Sequence, residues 1–246
     1  MSRPLRLGKQ PLLESLFEVR FNSPASPVAD LLPGVIFSSL GQDYKSSEIL
    51  PLASLPKEFR SQDPNFQFAA TQRIAGPEAV VFFGDNVIGL AKSLPYMGWS
   101  DFRARICAFV GVVQKSGLIS EVARYSLKAV NVIPTSKIRQ LDHLAIDVTL
   151  AGTPAMDSGF HLRTELNDTD FLRIVEITPN ITVSTANHSQ HSGLRVVIDC
   201  IRPCSPSQDY WADVVSGLDA LHEEQKRLFF QLLTPDTIAA LEPEYS

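Results

Sequence analysis

Alternation of apolar and polar residues marks the first ordered element. In "LLESLFEVRF" (12–21), Leu13, Phe17, Val19 and Phe21 fall on one face and Glu14, Glu18 and Arg20 on the other. That is the period-two pattern of a half-buried strand. In "SPASPVADLLPGVIFSSLG" (23–41), Ser26 and Pro27 are set as N-cap and first helical position. Pro33 then breaks or kinks the helix, which leaves 33–40 as its main piece. Strand-like runs follow at 66–74, 79–84 and 87–93, the last two joined by the turn residues "GDN". They predict an antiparallel meander. Ser100 and Asp101 open a helix in which Phe102, Ile106, Phe109, Val110 and Val113 recur at helical spacing, and Lys115 and Gly117 close it.

A strand returns in "EVARYSLKAVNVIP" (121–134), where Tyr125, Leu127, Ala129 and Ile133 share one face with a polar intruder, Asn131. Further strands are predicted at 144–150, 160–166, 171–178, 181–186 and 194–201, with "NDTD", "PN" and "NHSQHSG" as turns. Ser205, Pro206 and Gln208 fit a capping box for a long helix. Its broad apolar face includes Trp211, Val214, Leu218, Leu221, Leu228 and Phe229. Thr234–Pro235 stops that helix and caps a short last one.

The element order repeats. It predicts an α+β protein of two antiparallel β-meander halves, 1–118 and 119–246, each with a long amphipathic helix packed across its sheet. A single α+β domain with a chance pseudo-repeat would give the same order.

Composition narrows the class. Of 246 residues, 44% are hydrophobic and 20% charged, a globular mix with enough apolar material for a core. A net charge of −5 without a Lys/Arg cluster argues against a nucleic-acid partner. No apolar run is long enough for a membrane helix, and the N-terminus lacks a secretory h-region. Three cysteines, Cys107, Cys200 and Cys204, are too few and too odd for a disulfide framework. The expected setting is a reducing compartment, the cytoplasm.

Motifs for common chemistries are missing. There is no G-x-S-x-G, no phosphate-binding glycine loop and no H-E-x-x-H, and no cofactor is called for. His188, His191, Cys200 and Cys204 have tolerable zinc spacings. The strand at 194–201 would hold the histidines and the cysteines roughly 23 Å apart, at about 3.3 Å per residue, so no metal site is expected. Glu165, Glu176 and Asp199 fall on strands, where a converging pair would suit acid–base work.

Three stretches, "PLLESLFEVRF", "NVIGLAKSLPYMGWSDFRARI" and "RYSLKAVNVIP", resemble the opening strand, the strand–"Y-x-G-W"–helix unit and a later strand of a sporadically distributed bacterial family. Its members run to roughly 250 residues, in the size range of a single domain, and have no assigned biochemical function. Val130 stands where that family has an aromatic residue before the asparagine. The resemblance implies the strands above and a bacterial cytoplasmic setting, and it suits an accessory role such as defence or toxin neutralisation.

Six residues are candidates for a ligand or partner site: Asn131, with Arg124 and Tyr125 close in sequence, Glu18 and Arg20 on the first strand, and Trp99. Each has a structural alternative. Asn131 would fix strand register through a backbone bond. Glu18 and Arg20 would pair with Arg124 or Lys128 across strands. Trp99 would staple the start of its helix. The expected function is a non-enzymatic ligand- or protein-binding module; the alternative is a hydrolase using converging carboxylates or histidines. The apolar "RLFFQLL" (227–233) also admits a homo-oligomer.

Overall fold

The computed structural model of the chain describes residues 3–22, 27–40, 44, 46–76, 79–135, 139–184, 189–204 and 209–245. Its elements begin with β1 (Arg6–Leu7), β2 (Leu12–Phe21), α1 (Val28–Ser39) and β3 (Ser46–Ile49), then a 3-10 turn at Pro51–Ser54 and α2 (Lys57–Gln62). β4 (Ala70–Ala75), β5 (Val80–Gly84) and β6 (Val87–Ser93) lead to α3 (Trp99–Ser116) and β7 (Val122–Ile133). A 3-10 turn at Gln140–His143 precedes β8 (Thr149–Leu150), β9 (Thr153–Pro154), β10 (Leu162–Asn167), β11 (Leu172–Ser184) and β12 (Gln190–Pro203). α4 (Tyr210–Leu232), α5 (Pro235–Ala240) and β13 (Pro243–Glu244) come last.

Nine strands form one antiparallel sheet in the order β10–β11–β12–β7–β2–β6–β5–β4–β3. The α+β class stands, but the two separate meander halves, each with its own helix, do not. Periodicity tells which face of a strand is buried, not which neighbour fills its edge. β2 and β7, the opening strands of the expected halves, lie side by side. A long strand left at an edge would expose a row of unpaired backbone groups.

The chain divides into two compact units. The first comprises Met1–Glu14, Lys128–Cys200 and Ala220–Ser246; the second comprises Ser15–Leu127 and Ile201–Asp219.

In the second unit, β4, β5 and β6 form the expected meander, with Val81 opposite Leu90 and Phe83 opposite Ile88. These four residues and the α3 stripe of Phe102, Ile106, Phe109, Val110 and Val113 are all at most 1% exposed. Burying one such side chain contributes about 1.5–3 kcal/mol. Helix α1 runs unbroken over Val28–Ser39 with Pro27 at its N-cap, not over 33–40. Pro33 has no N–H to offer the carbonyl of Ala29, four residues back. Gln72 Nε2 supplies the missing donor to Ala29 O at 3.1 Å, so the helix survives its proline. Ser26 lies outside the described residues, as do Ser205, Pro206 and Gln208 of the expected capping box. α3 begins two residues earlier than expected: Gly98, at φ 101°, holds the N-cap position instead of Ser100.

In the first unit, β10 and β11 pair from Leu162↔Ile177 to Asn167↔Leu172. β11 continues through Pro179–Asn180, where a turn was expected. Asn180 adopts φ 57°, and its N–H donates to Gln140 Oε1 at 2.8 Å. One left-handed residue thus absorbs the irregularity without reversing the chain. Of the strand expected at 144–150, only Thr149–Leu150 forms. β10, at one end of the sheet, carries the ion pair Arg163–Glu165 at 2.8 Å, charges that discourage edge-to-edge pairing. β1 pairs with β13, with Arg6 opposite Glu244.

Backbones come close at Gly89: a Cβ there would lie 2.3 Å from Phe17 O and 2.1 Å from the Phe82 ring. Gly89→Ala should therefore destabilise by about 1–3 kcal/mol. Gly111, on α3, has nothing within 4 Å of a built Cβ, so Gly111→Ala should stabilise by about 0.5–1 kcal/mol. Urea midpoints of the two variants should move in opposite directions.

Candidate functional site

The alternation of β2 puts Glu18 and Arg20 on the same face, and β7 is its neighbour in the sheet. Arg20 Nε donates to Glu18 Oε1 at 2.6 Å, and Arg124 Nη2 lies 3.7 Å from the same oxygen. Arg20 also sits 4.5 Å from the centre of the Phe68 ring, a cation–π contact. Three of the six candidate residues are thus brought together, with Phe68 as an addition no strand pattern announces.

The other three candidates lie in different surroundings. Tyr125 is fully buried; its hydroxyl donates to Asp213 O at 3.1 Å and lies 3.4 Å from Asp213 Oδ2. Burial raises its pKa, with Arg202 opposing and Asp213 adding to the rise. Helix α4 approaches so closely here that a Cβ on Gly217 would lie 2.0 Å from the Tyr125 hydroxyl. Asn131, 5% exposed, donates from Nδ2 to Val196 O at 3.3 Å and so ties β7 to the β12 backbone. Trp99 is the first residue of α3. Its Nε1 donates to Asp219 Oδ1 at 2.8 Å, beside the ion pair of Arg103 with the same carboxylate, and its ring meets Phe102 edge-on at 6.5 Å.

The carboxylates considered for acid–base work each face a counter-charge. Glu165 pairs with Arg163, Glu176 with Arg195 at 3.6 Å, and Asp199 with Lys128 at 3.6 Å. Burial pushes the Cys204 thiol up to about 11, aided by Asp213 and opposed by Arg202; Cys200 is pushed higher still by burial. A thiol kept protonated is a poor nucleophile. Of the zinc candidates, His188 lies outside the described residues. Among the described residues, no three His, Cys, Asp or Glu side chains converge as metal ligands.

The other oxygen of Asp199, Oδ1, is buried without a hydrogen-bond partner among the described residues. Further features were not singled out by the sequence. Glu14, on β2, has its carboxyl pKa raised by burial, with Lys128 partly offsetting the rise. Glu224, on α4, is held low by hydrogen bonds from Arg227 and from Arg173, the latter at 2.7 Å. Between the Gln140–His143 turn and the β8–β9 hairpin lies a groove of about 370 Å³. Leu141, Leu144, Ile146, Val148, Pro154 and Ala155 line it together with Arg139, Asp142 and Asp147. Arg139 lies 3.8 Å from Asp142; Asp147 has no basic partner among the described residues.

No family model matches the chain, and no curated protein matches it.

Glu14 and Glu224 should affect stability in opposite senses. Glu14, raised, favours the protonated folded state, so the wild type loses stability as pH climbs past the ordinary glutamate value of about 4.3. Glu14→Gln should therefore raise the urea midpoint at pH 7.5, with the gain fading toward pH 4. Glu224, lowered, stabilises the fold above the ordinary value and loses that effect as pH falls through its own. Glu224→Gln should lower the midpoint at pH 7.5 and converge on the wild type in acid.

Proposed function

We propose that the protein is a non-enzymatic binding protein of the bacterial cytoplasm, and that the groove at residues 139–155 takes a small ligand or a short segment of a protein partner. The groove carries this reading: its volume of about 370 Å³ falls within the range of small-ligand sites, and both apolar and charged residues line it. Asp147 pairs with no basic residue among the described ones, so a molecule with an apolar body and an ammonium or guanidinium group fits. The hydrolase alternative has less support. Its carboxylates Glu165, Glu176 and Asp199 each face a basic residue. The resemblance to a sporadically distributed bacterial family suits an accessory role, such as defence or toxin neutralisation.

Native mass spectrometry of protein purified from its natural host tests this. A retained small molecule or a co-purifying chain is expected, lost when Ile146→Trp fills the groove and weakened by Asp147→Asn. A bare monomer or homo-oligomer would count against the reading.

A further inference from the structure

One wall of the groove has the pattern of a strand and lacks a strand's partner. Leu144, Ile146, Val148 and Leu150 alternate with Ala145, Asp147 and Thr149, yet only Thr149–Leu150 joins a ladder, opposite Thr153–Pro154 of β9. Both ends of the stretch are fixed. Ala145 N–H donates to Leu232 O at 2.8 Å, beside the bridge of Leu144 with Leu233, and Val148 O accepts from Ala155 N–H at 2.8 Å. Between these ties, the N–H and C=O groups of Ile146 and Asp147 make no backbone hydrogen bond among the described residues. β8 and β9 form a sheet of two strands only. An open backbone run beside so short a hairpin is an edge that another strand can extend.

The facing wall is held as well. The Asp157 carboxylate takes the N–H groups of Gln140 and Leu141, the latter at 3.1 Å, and Arg139 Nη2 donates to Ala155 O at 3.0 Å. The groove is therefore preformed, which lowers the cost of filling it.

Its chemistry selects the occupant. Successive residues of an extended stretch face opposite ways, so Ile146 and Val148 share one side and Asp147 takes the other. A strand laid against them sets a side chain opposite each, on the same side. Apolar residues suit Ile146 and Val148. A lysine or arginine suits Asp147, which pairs with no basic residue among the described ones. Leu150, two residues past Val148, and Met156, next to Ala155, are 75% and 65% exposed. Apolar surface thus continues along the chain past the groove, on the scale of a polypeptide segment rather than of one small molecule.

We propose that the occupant is an extended segment of a protein partner, an apolar–basic–apolar triplet that adds as a strand along 146–148 with its lysine or arginine on Asp147. This rests on the reading of the groove as a binding site, and adds the backbone pairing and the sequence which that pairing selects.

The test uses the full chain and two probes. One is the blocked peptide acetyl-STVKVTS-amide; the other is n-hexylamine, which has an apolar body and an ammonium but no peptide backbone. The peptide should shift the 146–148 amides in nitrogen-15 spectra and slow hydrogen exchange at Ile146 or Asp147, whichever faces the added strand. Replacing its lysine by glutamate should weaken binding by about tenfold or more. Asp147→Lys should reverse that preference; the residue is exposed, so the change leaves the core intact. Hexylamine binding in the groove while the peptide leaves the 146–148 amides unmoved would overturn the strand proposal and keep the groove as a small-ligand site. Peptide binding with exchange slowed at neither residue, or with the preference unchanged in Asp147→Lys, overturns it too. If neither probe moves any amide of 139–155, the reading of the groove itself falls.

Discussion

A strand inside a sheet must have both edges hydrogen-bonded, and the arrangement of this protein depends on how that requirement is met for β2 and β7. Each is long and apolar on one face, and neither could be left at a margin without an exposed ladder of donors and acceptors. Side by side in the middle of nine strands, both are satisfied. The same placement fixes the character of their polar faces. Glu18, Arg20 and Arg124 keep only 13–28% of their side-chain surface, and at that depth a charge needs a partner. Their mutual pairing follows from the pairing of the strands that carry them.

Much of the fold was legible because it rests on local periodicity. β2, β5, β6, β7, α3 and α4 each announce a buried face through spacing alone, and each forms near its expected bounds. What was not legible depends on distant residues. The continuity of α1 through Pro33 requires Gln72, from a strand more than thirty positions away, to reach Ala29 O. The straight run of β11 past Pro179 requires Gln140 to receive the Asn180 N–H. The merging of two meanders into one sheet is a choice of partner, which no alternation pattern encodes.

The candidate residues divide in the same way. The meeting of Glu18 with Arg124 could be anticipated once the two strands were supposed to pair, since alternation already put both side chains on polar faces. Asn131 and Tyr125 share a face in sequence but answer to different elements: one bonds the β12 backbone, the other the α4 backbone at Asp213. The groove draws on Leu144, Ile146 and Val148, whose alternation predicts a strand, yet only Thr149–Leu150 forms one, so the pattern misled about this stretch.

The pairing of β1 with β13 has a consequence for how the molecule is made. Arg6 and Glu244 come from opposite ends of the chain, and the first unit also needs the latter part of α4. A ribosome delivers residues in order, N-terminal first. The β1 segment therefore emerges early and waits, unpaired, through the synthesis of more than two hundred residues before its partner arrives. This unit completes its fold only after its last strand has left the exit tunnel, and during that wait its apolar strands are open to chaperones.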